Sequence, residues 1–317
     1  VERVNVEISG NVSEDLVASI NGAGGTILHV STRFGAITAS LPVANIEGIA
    51  GRSDVKQVRT GGHKHTNVGS LTTQGYISHS ANTVVAGGIN GTGVTVGVLS
   101  DSALPTRVAA LIASGDLPAD TLVLPGQQGP ANGTDEGTAM MEIVHDLAPG
   151  AKLMFATAFT SESSFADNII ALAAAGAKVI VDDVSWSDEG VFQDSIIAQA
   201  VNQVTAAGVI YFSSAANSGS KTFNTSTTWE GDFLDGGAVS GPVATIGETG
   251  EVHNFGTVAT PQNFNQMLTS SDGVTLRWSD PLGGSSNDYD LFVLNSTGTQ
   301  VLGFSANVQS GSQDPDE

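Results

Sequence analysis

The sequence predicts an α/β protein: a doubly wound parallel sheet, preceded by a ferredoxin-like βαββαβ module and followed by an incomplete antiparallel β-sandwich. Three observations predict it. Between residues 94 and 215, five near-continuous apolar stretches alternate with helical patterns, as strands buried on both faces require. Residues 1–60 switch between strand-like and helix-like periods in β-α-β-β-α-β order. From about residue 250 the helical patterns stop and short alternating segments replace them.

In the first module "RVNVEIS" reads as a strand, and "SEDLVASINGAGG" as a helix capped by Ser13 and closed by glycines. "TILHVS" and "GAITASLP" pair as a hairpin, "VANIEGIAG" is a short helix, and "DVKQVRT" is the last strand. Residues 61–92 are rich in Gly, Ser, Thr and Asn and read as linker and loop. The central strands are placed at 94–100, 121–125, 152–158, 178–184 and 209–215. Helices are expected from Glu136 to Leu147, from Ser163 to Ala175 and from Phe192 to Ala207, the last two with apolar residues at core spacing. Ligand chemistry in such a sheet gathers beyond the carboxyl ends of the strands. Further on, "VTLRWSDP" alternates, and "DYDLFVLNSTGTQVLGFSA" reads as a hairpin turned at Ser296-Thr297-Gly298. Residues 250–317 supply four or five strands, fewer than the roughly seven of a complete sandwich. The expected domains are 1–62, 63–245 and 246–317.

Composition excludes several function classes. The 317 residues carry a net charge of −21, unevenly spread: of 32 acids and 11 bases, six of each lie in residues 1–65, leaving 26 acids against five bases. So acidic a body repels phosphate backbones and anionic membranes, so neither nucleic acid nor a membrane is an expected partner. No cysteine is present, which excludes thiolate catalysis and disulfides. No run of eighteen apolar residues exists, and the start at Val1 leads us to expect an upstream segment that has been removed or left out of this sequence.

Three segments near strand ends carry polar groups able to converge: Ser100-Asp101-Ser102, Asp135-Glu136, and Asn217 in "SSAANSG". At these residues the chain resembles the subtilases. "GTGVTVGVLSDS" is similar to their first catalytic block, "DEGTAMMEIVHDLAPGAKL" to their histidine-bearing helix with its Ala-Pro-Gly-Ala exit, and "GVIYFSSAANSG" to the block bearing the oxyanion asparagine. The resemblance runs from about 88 to 220, in subtilase order, and implies a subtilisin-like sheet. The head resembles the subtilase inhibitory propeptide, and the late β segment resembles calcium-associated modules attached to bacterial secreted proteases.

Departures from that pattern define the chemistry. Where subtilases have His before Gly-Thr, this chain has Glu136, as in the related sedolisins, whose glutamate serves as base for a serine. The sedolisin aspartate four residues later is Met140 here, and Asn217 matches the subtilisin oxyanion residue. A serine hydroxyl needs a neighbouring base, and a carboxylate serves if held within hydrogen-bond reach. With an ordinary pKa of about 4.3, a glutamate works in acid where His is protonated. The helix N-terminus favours its ionised form, whereas Asp101 lying against Glu136 would make the two carboxyls share a proton and raise one pKa. The expected pH optimum is acid to near neutral. Asp101 is the expected partner of Glu136, although alignment without a gap places the subtilase aspartate on Ser100. Asn217 is the expected oxyanion donor.

Bland readings stand beside these. Asp135 and Glu136 suit a helix start, Asp101 and Asn217 suit turns, and His145 suits the last turn of its helix, roughly opposite Glu136. Asp182 and Asp183 are candidates to border the substrate cleft or to orient Glu136, and Trp186 to pack there. His63 and His65 in the linker are weak metal candidates. Asp280, Asp288 and Asp290 are candidate calcium ligands through hard oxygens, or else a solvated acidic loop. No organic cofactor is expected: "GINGTG" precedes its strand, where a phosphate loop would follow one.

The resemblance implies a secreted serine endopeptidase acting on protein or peptide, made as a zymogen whose propeptide lays its tail, around Arg59 to His65, in the cleft. No Gly-Thr-Ser block occurs in these 317 residues, so the nucleophilic serine is expected in a further part of the chain, with this segment alone inactive. The alternative is a non-catalytic binding or adhesion protein on a degenerate subtilase scaffold.

Overall fold

Alternation along the first segments produces the head. The computed structural model describes residues 2–60, the backbone of 64–66, and residues 74–267 and 273–317. Strand β1 (Arg3–Gly10) is followed by α1 (Glu14–Gly22), β2 (Thr26–Ser31), β3 (Ala36–Pro42), α2 (Ile46–Ala50) and β4 (Val55–Thr60). The antiparallel sheet runs β2-β3-β1-β4. Ser13 caps α1 as expected, its Oγ accepting the Leu16 N–H at 3.1 Å and satisfying one of the unpaired first-turn donors. Val6 and Ile8 of β1 meet Leu16 and Ile20 of α1 and Ile37, Ala39 and Leu41 of β3 in one buried cluster.

The region read as linker is only partly that. Short strand β5 (Lys64–Thr66) and two short helices, α3 (Gly75–Ser78) and α4 (Ala81–Ala86), lie within it. Their Ser- and Thr-rich composition hides helices held by contacts with a later element. His63 lies outside the described residues, and His65 is described only along its backbone.

The central sheet then forms from β6 (Thr95–Ser100), α5 (Pro105–Ser114), β7 (Leu122–Val123), α6 (Glu136–Leu147), β8 (Lys152–Thr157), α7 (Glu162–Ala174), β9 (Val179–Asp182), β10 (Val184–Trp186), α8 (Ile196–Ala206) and β11 (Ile210–Ser213). Five strands are parallel, in the order β11-β9-β6-β8-β7. Helix α5 was not anticipated, although Pro105 at its first turn and Val108 and Leu111 on its buried face signal it. The stretch 178–184 splits: β9 joins the sheet, whereas β10 turns away and pairs antiparallel with β5, Trp186 opposite Lys64. The chain enters at β6, continues to β7 and β8 on one side and to β9 and β11 on the other. Its topological switch therefore lies at the carboxyl end of β6, the place where ligand chemistry gathers in such sheets.

Apolar clusters cover both faces of this sheet, one built on Phe165, Ile169 and Leu172 of α7, the other on Met141 of α6 with Leu153 and Phe155 of β8. Helix α7 is buried over most of its length because the head also packs against it. Phe34 joins its apolar cluster, and His29 meets Asp167 at 3.1 Å. Head and sheet belong to one unit, Val1–Glu189 with Asp194–Asn217.

The second unit is Gly190–Gln193 with Ser218–Glu317. It contains β12 (Asp235–Ala238), α9 (Gly241–Thr245), β13 (Glu251–His253), β14 (Leu291–Leu294) and β15 (Val301–Ser305). Its pairing is antiparallel, in two-stranded ladders β12-β13 and β14-β15. The expected hairpin is the second of these. Trp229, His253 and Phe255 stack edge to face, and Trp278 meets Tyr289 in the same way. No helix among the described residues is long and apolar enough to cross a membrane.

Candidate active site

Strand β6 delivers Ser100 to the switch point and buries it completely, together with Asp101 and Ser102. Opposite Ser100, α6 begins with Glu136. The approach is close because residue 137 is glycine: a Cβ there would overlap the Phe155 ring and lie 2.6 Å from the Ser102 carbonyl oxygen. Asp135, just before the helix, takes a left-handed conformation (φ 64°), which costs a non-glycine residue energy. Its carboxylate compensates by accepting the Leu104 N–H at 2.8 Å and the Thr138 hydroxyl at 2.6 Å.

These elements bring Ser100, Asp101 and Glu136 together, with a division of roles different from the expected one. The Ser100 hydroxyl donates to Glu136 Oε2 at 2.7 Å. Asp101 instead holds the backbone of the helix start: its Oδ1 accepts the Glu136 N–H at 3.1 Å, and its Oδ2 accepts the Thr134 N–H and, at 2.8 Å, the Thr134 hydroxyl. The side-chain partner of Glu136 is therefore Ser100. The physical reason is donor chemistry: an ionised carboxylate only accepts, so two of them do not bond, whereas a hydroxyl donates to one of them. The gap-free alignment carried this signal.

Glu136 is half-buried, and its pKa is raised. Burial is the main cause, the Ser100 hydrogen bond opposes it, and the negative charges of Asp183 and Asp101 add to it. The direction is opposite to the one the helix N-terminus led us to expect. Asp182, at the end of β9, is buried and pushed up to about 6, chiefly by desolvation, against the hydrogen bond from Ser213. The Ser213 hydroxyl reaches its Oδ1 at 2.8 Å, and the Tyr211 hydroxyl lies beside it without hydrogen-bond geometry. The Glu136 carboxylate is thus half-shielded from water, accepts from a serine hydroxyl and is anchored through its own backbone N–H.

Other candidates fall outside this group. Asn217 follows β11 at the same end of the sheet and is exposed, after Ala216 in a left-handed conformation (φ 58°). No described hydrogen bond joins it to Ser100 or Glu136. Trp186 is 9% exposed, packs in the apolar cluster around Phe165 and donates its indole N–H to the Ala158 carbonyl at 3.1 Å. His145 lies nine residues along α6, about 14 Å down its axis, too far to serve as rival base.

In the second unit, Asp280 caps its own loop. Its Oδ2 accepts the Ser286 and Asn287 N–H groups at 2.9 and 2.7 Å and the Ser285 hydroxyl at 3.1 Å, and its Oδ1 accepts the Asn287 amide at 2.7 Å. These bonds push its pKa down to about 2. Calcium would need those same oxygens. Asp288 accepts the Gln309 N–H at 3.0 Å, and Asp290 is held above the usual carboxylate range by burial and by its acidic neighbours. Among the described residues no three acidic or histidine side chains converge as a metal site. This loop does not fit the calcium expected there.

No protein-family model matches the sequence, and none of the curated proteins compared with it matches either. Among solved structures, fervidolysin from Fervidobacterium pennivorans, a keratinolytic enzyme related to subtilisin, aligns with 69% of this chain and 40% of its own, at 13% identity and a TM-score of 0.44. The epidermin leader peptide processing serine protease of Staphylococcus aureus aligns as its S393A mutant over 71% of this chain and 63% of its own, at 12% identity and a TM-score of 0.47. Its unmutated form gives 69%, 61%, 12% and 0.45. This chain thus spans less than two thirds of the length of each.

Proposed function

We propose that this chain is the N-terminal part of a secreted serine endopeptidase of the subtilase type, with Glu136 as the general base. One observation carries the reading: the Ser100 hydroxyl holds the half-buried Glu136 carboxylate at 2.7 Å, at the carboxyl end of the strand where the sheet changes direction. Ser100 and Asp101 position the base, one through its carboxylate and the other through its backbone. Ser100 is itself fully buried and does not meet a substrate. The nucleophile is a serine outside these 317 residues, and Asn217 supplies an amide to the developing oxyanion. In acyl transfer Glu136 takes the hydroxyl proton as the serine oxygen attacks the scissile carbonyl, and returns it to the leaving amine. The head acts as a propeptide, a reading supported by the antiparallel pairing of β5 with β10.

The test is peptide hydrolysis by the protein as its gene encodes it, compared with Glu136→Gln between about pH 3 and 9. Activity that falls by orders of magnitude in the variant supports the base. Activity untouched by the change refutes it. A non-catalytic binding protein is the second reading, favoured by the lack of a Gly-Thr-Ser block in the sequence.

A further inference from the structure

A second group of carboxylates lies away from Glu136, where the head meets the sheet. Glu162 opens α7 and is 4% exposed. Asp188 and Glu189 follow β10. The cation facing them comes from the head: Arg59 of β4 places its guanidinium 2.6 Å from Glu162 Oε2 and 3.7 Å from Asp188 Oδ2. Glu7 of β1 and Glu189 lie within electrostatic reach of the same guanidinium. Buried oxygens are left over: Glu162 Oε1 and Glu189 Oε2 have no hydrogen-bond partner.

Two of the three carboxylates of the sheet domain also have partners within that domain, and the third, Glu162, stands on a capped helix start. Glu162 sits in the first turn of α7 behind the Ser161 cap, whose Oγ accepts the Ser164 N–H at 3.1 Å. Glu189 Oε1 accepts the Ala198 N–H at 3.0 Å in the first turn of α8. The Ser187 hydroxyl donates to Asp188 at 2.8 Å. Taking the guanidinium away would leave buried negative charge uncompensated, a costly state. A planar fork of five N–H donors answers several carboxylates at once, which an ammonium does not. The neighbouring strand tells what bears the fork. β10 already accepts an extended antiparallel segment along Val184–Trp186, and the turn that follows it, closed by the Glu189 N–H on the Trp186 carbonyl, carries Asp188 and Glu189 beside the end of that segment.

We propose that Glu162, Asp188 and Glu189 form a recognition site for the arginine side chain of an extended peptide, occupied in this structure by Arg59 and open to another arginine-bearing peptide once the head is displaced. This rests on the reading of the head as a separable propeptide, and it is independent of the catalytic role of Glu136.

The experiment is thermal unfolding of the full chain carrying Arg59→Ala, with N-acetylarginine methylamide or N-acetyllysine methylamide added at millimolar concentration and equal ionic strength. The expected result is a Tm several degrees below the parent, recovered in large part by the arginine compound and not by the lysine compound. The parent, with its site filled, should not respond, and Arg59→Ala combined with Glu162→Gln should lose the recovery. Equal responses to both compounds, no response, or recovery that survives Glu162→Gln would overturn the proposal. If Arg59→Ala does not fold, Arg59→Lys keeps a cation and serves for the same comparison: a rise in Tm specific to the arginine compound is expected, and its absence refutes the site. Because no readout is hydrolysis, failure here leaves the peptidase reading standing, and the converse also holds.

Discussion

Ser100 lowers the pKa of Glu136 by donating to it, while burial and two neighbouring carboxylates raise it. Ser100→Ala removes that hydrogen bond and leaves the raising influences in place. We therefore expect Glu136 to titrate higher still, moving the acid limb of any activity that needs it ionised to higher pH. A carboxyl-carbon NMR titration of the variant against the parent measures the shift, and coincident curves would contradict the assignment of Ser100 as its positioning partner. The loss of one hydrogen bond costs about 1 kcal/mol. Gly137→Ala tests the close approach of α6 to β8. Its methyl group would overlap the Phe155 ring, so the helix must back away, at a cost of about 1 to 3 kcal/mol in thermal unfolding. Stability equal to the parent would mean that α6 is free to shift. Of these residues, Glu136 and Gly137 were legible in the block they share, because a short local pattern carries them. The exchange of roles between Ser100 and Asp101 was legible only as one of two alignments, because adjacent residues on one strand end are told apart by what stands opposite.

At the scale of elements, the ends of β9 and β10 store raised carboxyl groups. Asp182 is pushed up to about 6 and Glu189 to about 7, both mainly by burial. In the unfolded chain each titrates at its ordinary value, so between about pH 4 and 7 the folded state holds more protons than the unfolded one. Stability from these groups is therefore greatest below about pH 4 and falls as pH rises to about 7. For Asp182 alone the change is on the order of 3 kcal/mol. Asp182→Asn should flatten part of this dependence in denaturant unfolding at fixed pH values; an unchanged slope would show that Asp182 is ionised at little cost. The strands themselves were readable from their apolar runs. The split between β9 and β10 was not, since a continuous apolar run does not reveal which residues leave the sheet.

Over the whole molecule, apolar burial is unequal. Among the described residues every buried aliphatic or aromatic side chain lies at or before Val209, and the buried residues of the second unit are Asn254, Ser285, Gln309 and Pro315. A unit held by turns, short ladders and half-exposed aromatic rings gains little from the hydrophobic effect. We expect Ser218–Glu317 to open first on heating or in denaturant, so that limited proteolysis leaves a resistant fragment ending near Asn217. Cleavage that begins instead in the central sheet would contradict this order. The charge of −21 adds a second expectation. Screening of self-repulsion should raise Tm as salt rises from about 0.05 to 0.5 M. A Tm that falls over that range would show that attractive ion pairs, such as those of Arg52 and Arg59, dominate.

By itself the sequence determined the order of strands and helices in the head, the five parallel strands of the central sheet, the Ser13 cap, and the block that places a glutamate at the start of a helix. These depend on period, turn chemistry and spacing, all of which act over a few residues. Only the tertiary structure decided that Ser100, and not Asp101, meets the Glu136 carboxylate, that β5 lies on β10, and that Arg59 fills an acidic site 103 residues away along the chain. Those contacts are set by packing between distant segments, where burial and the supply of donors select one partner among several with the same local pattern.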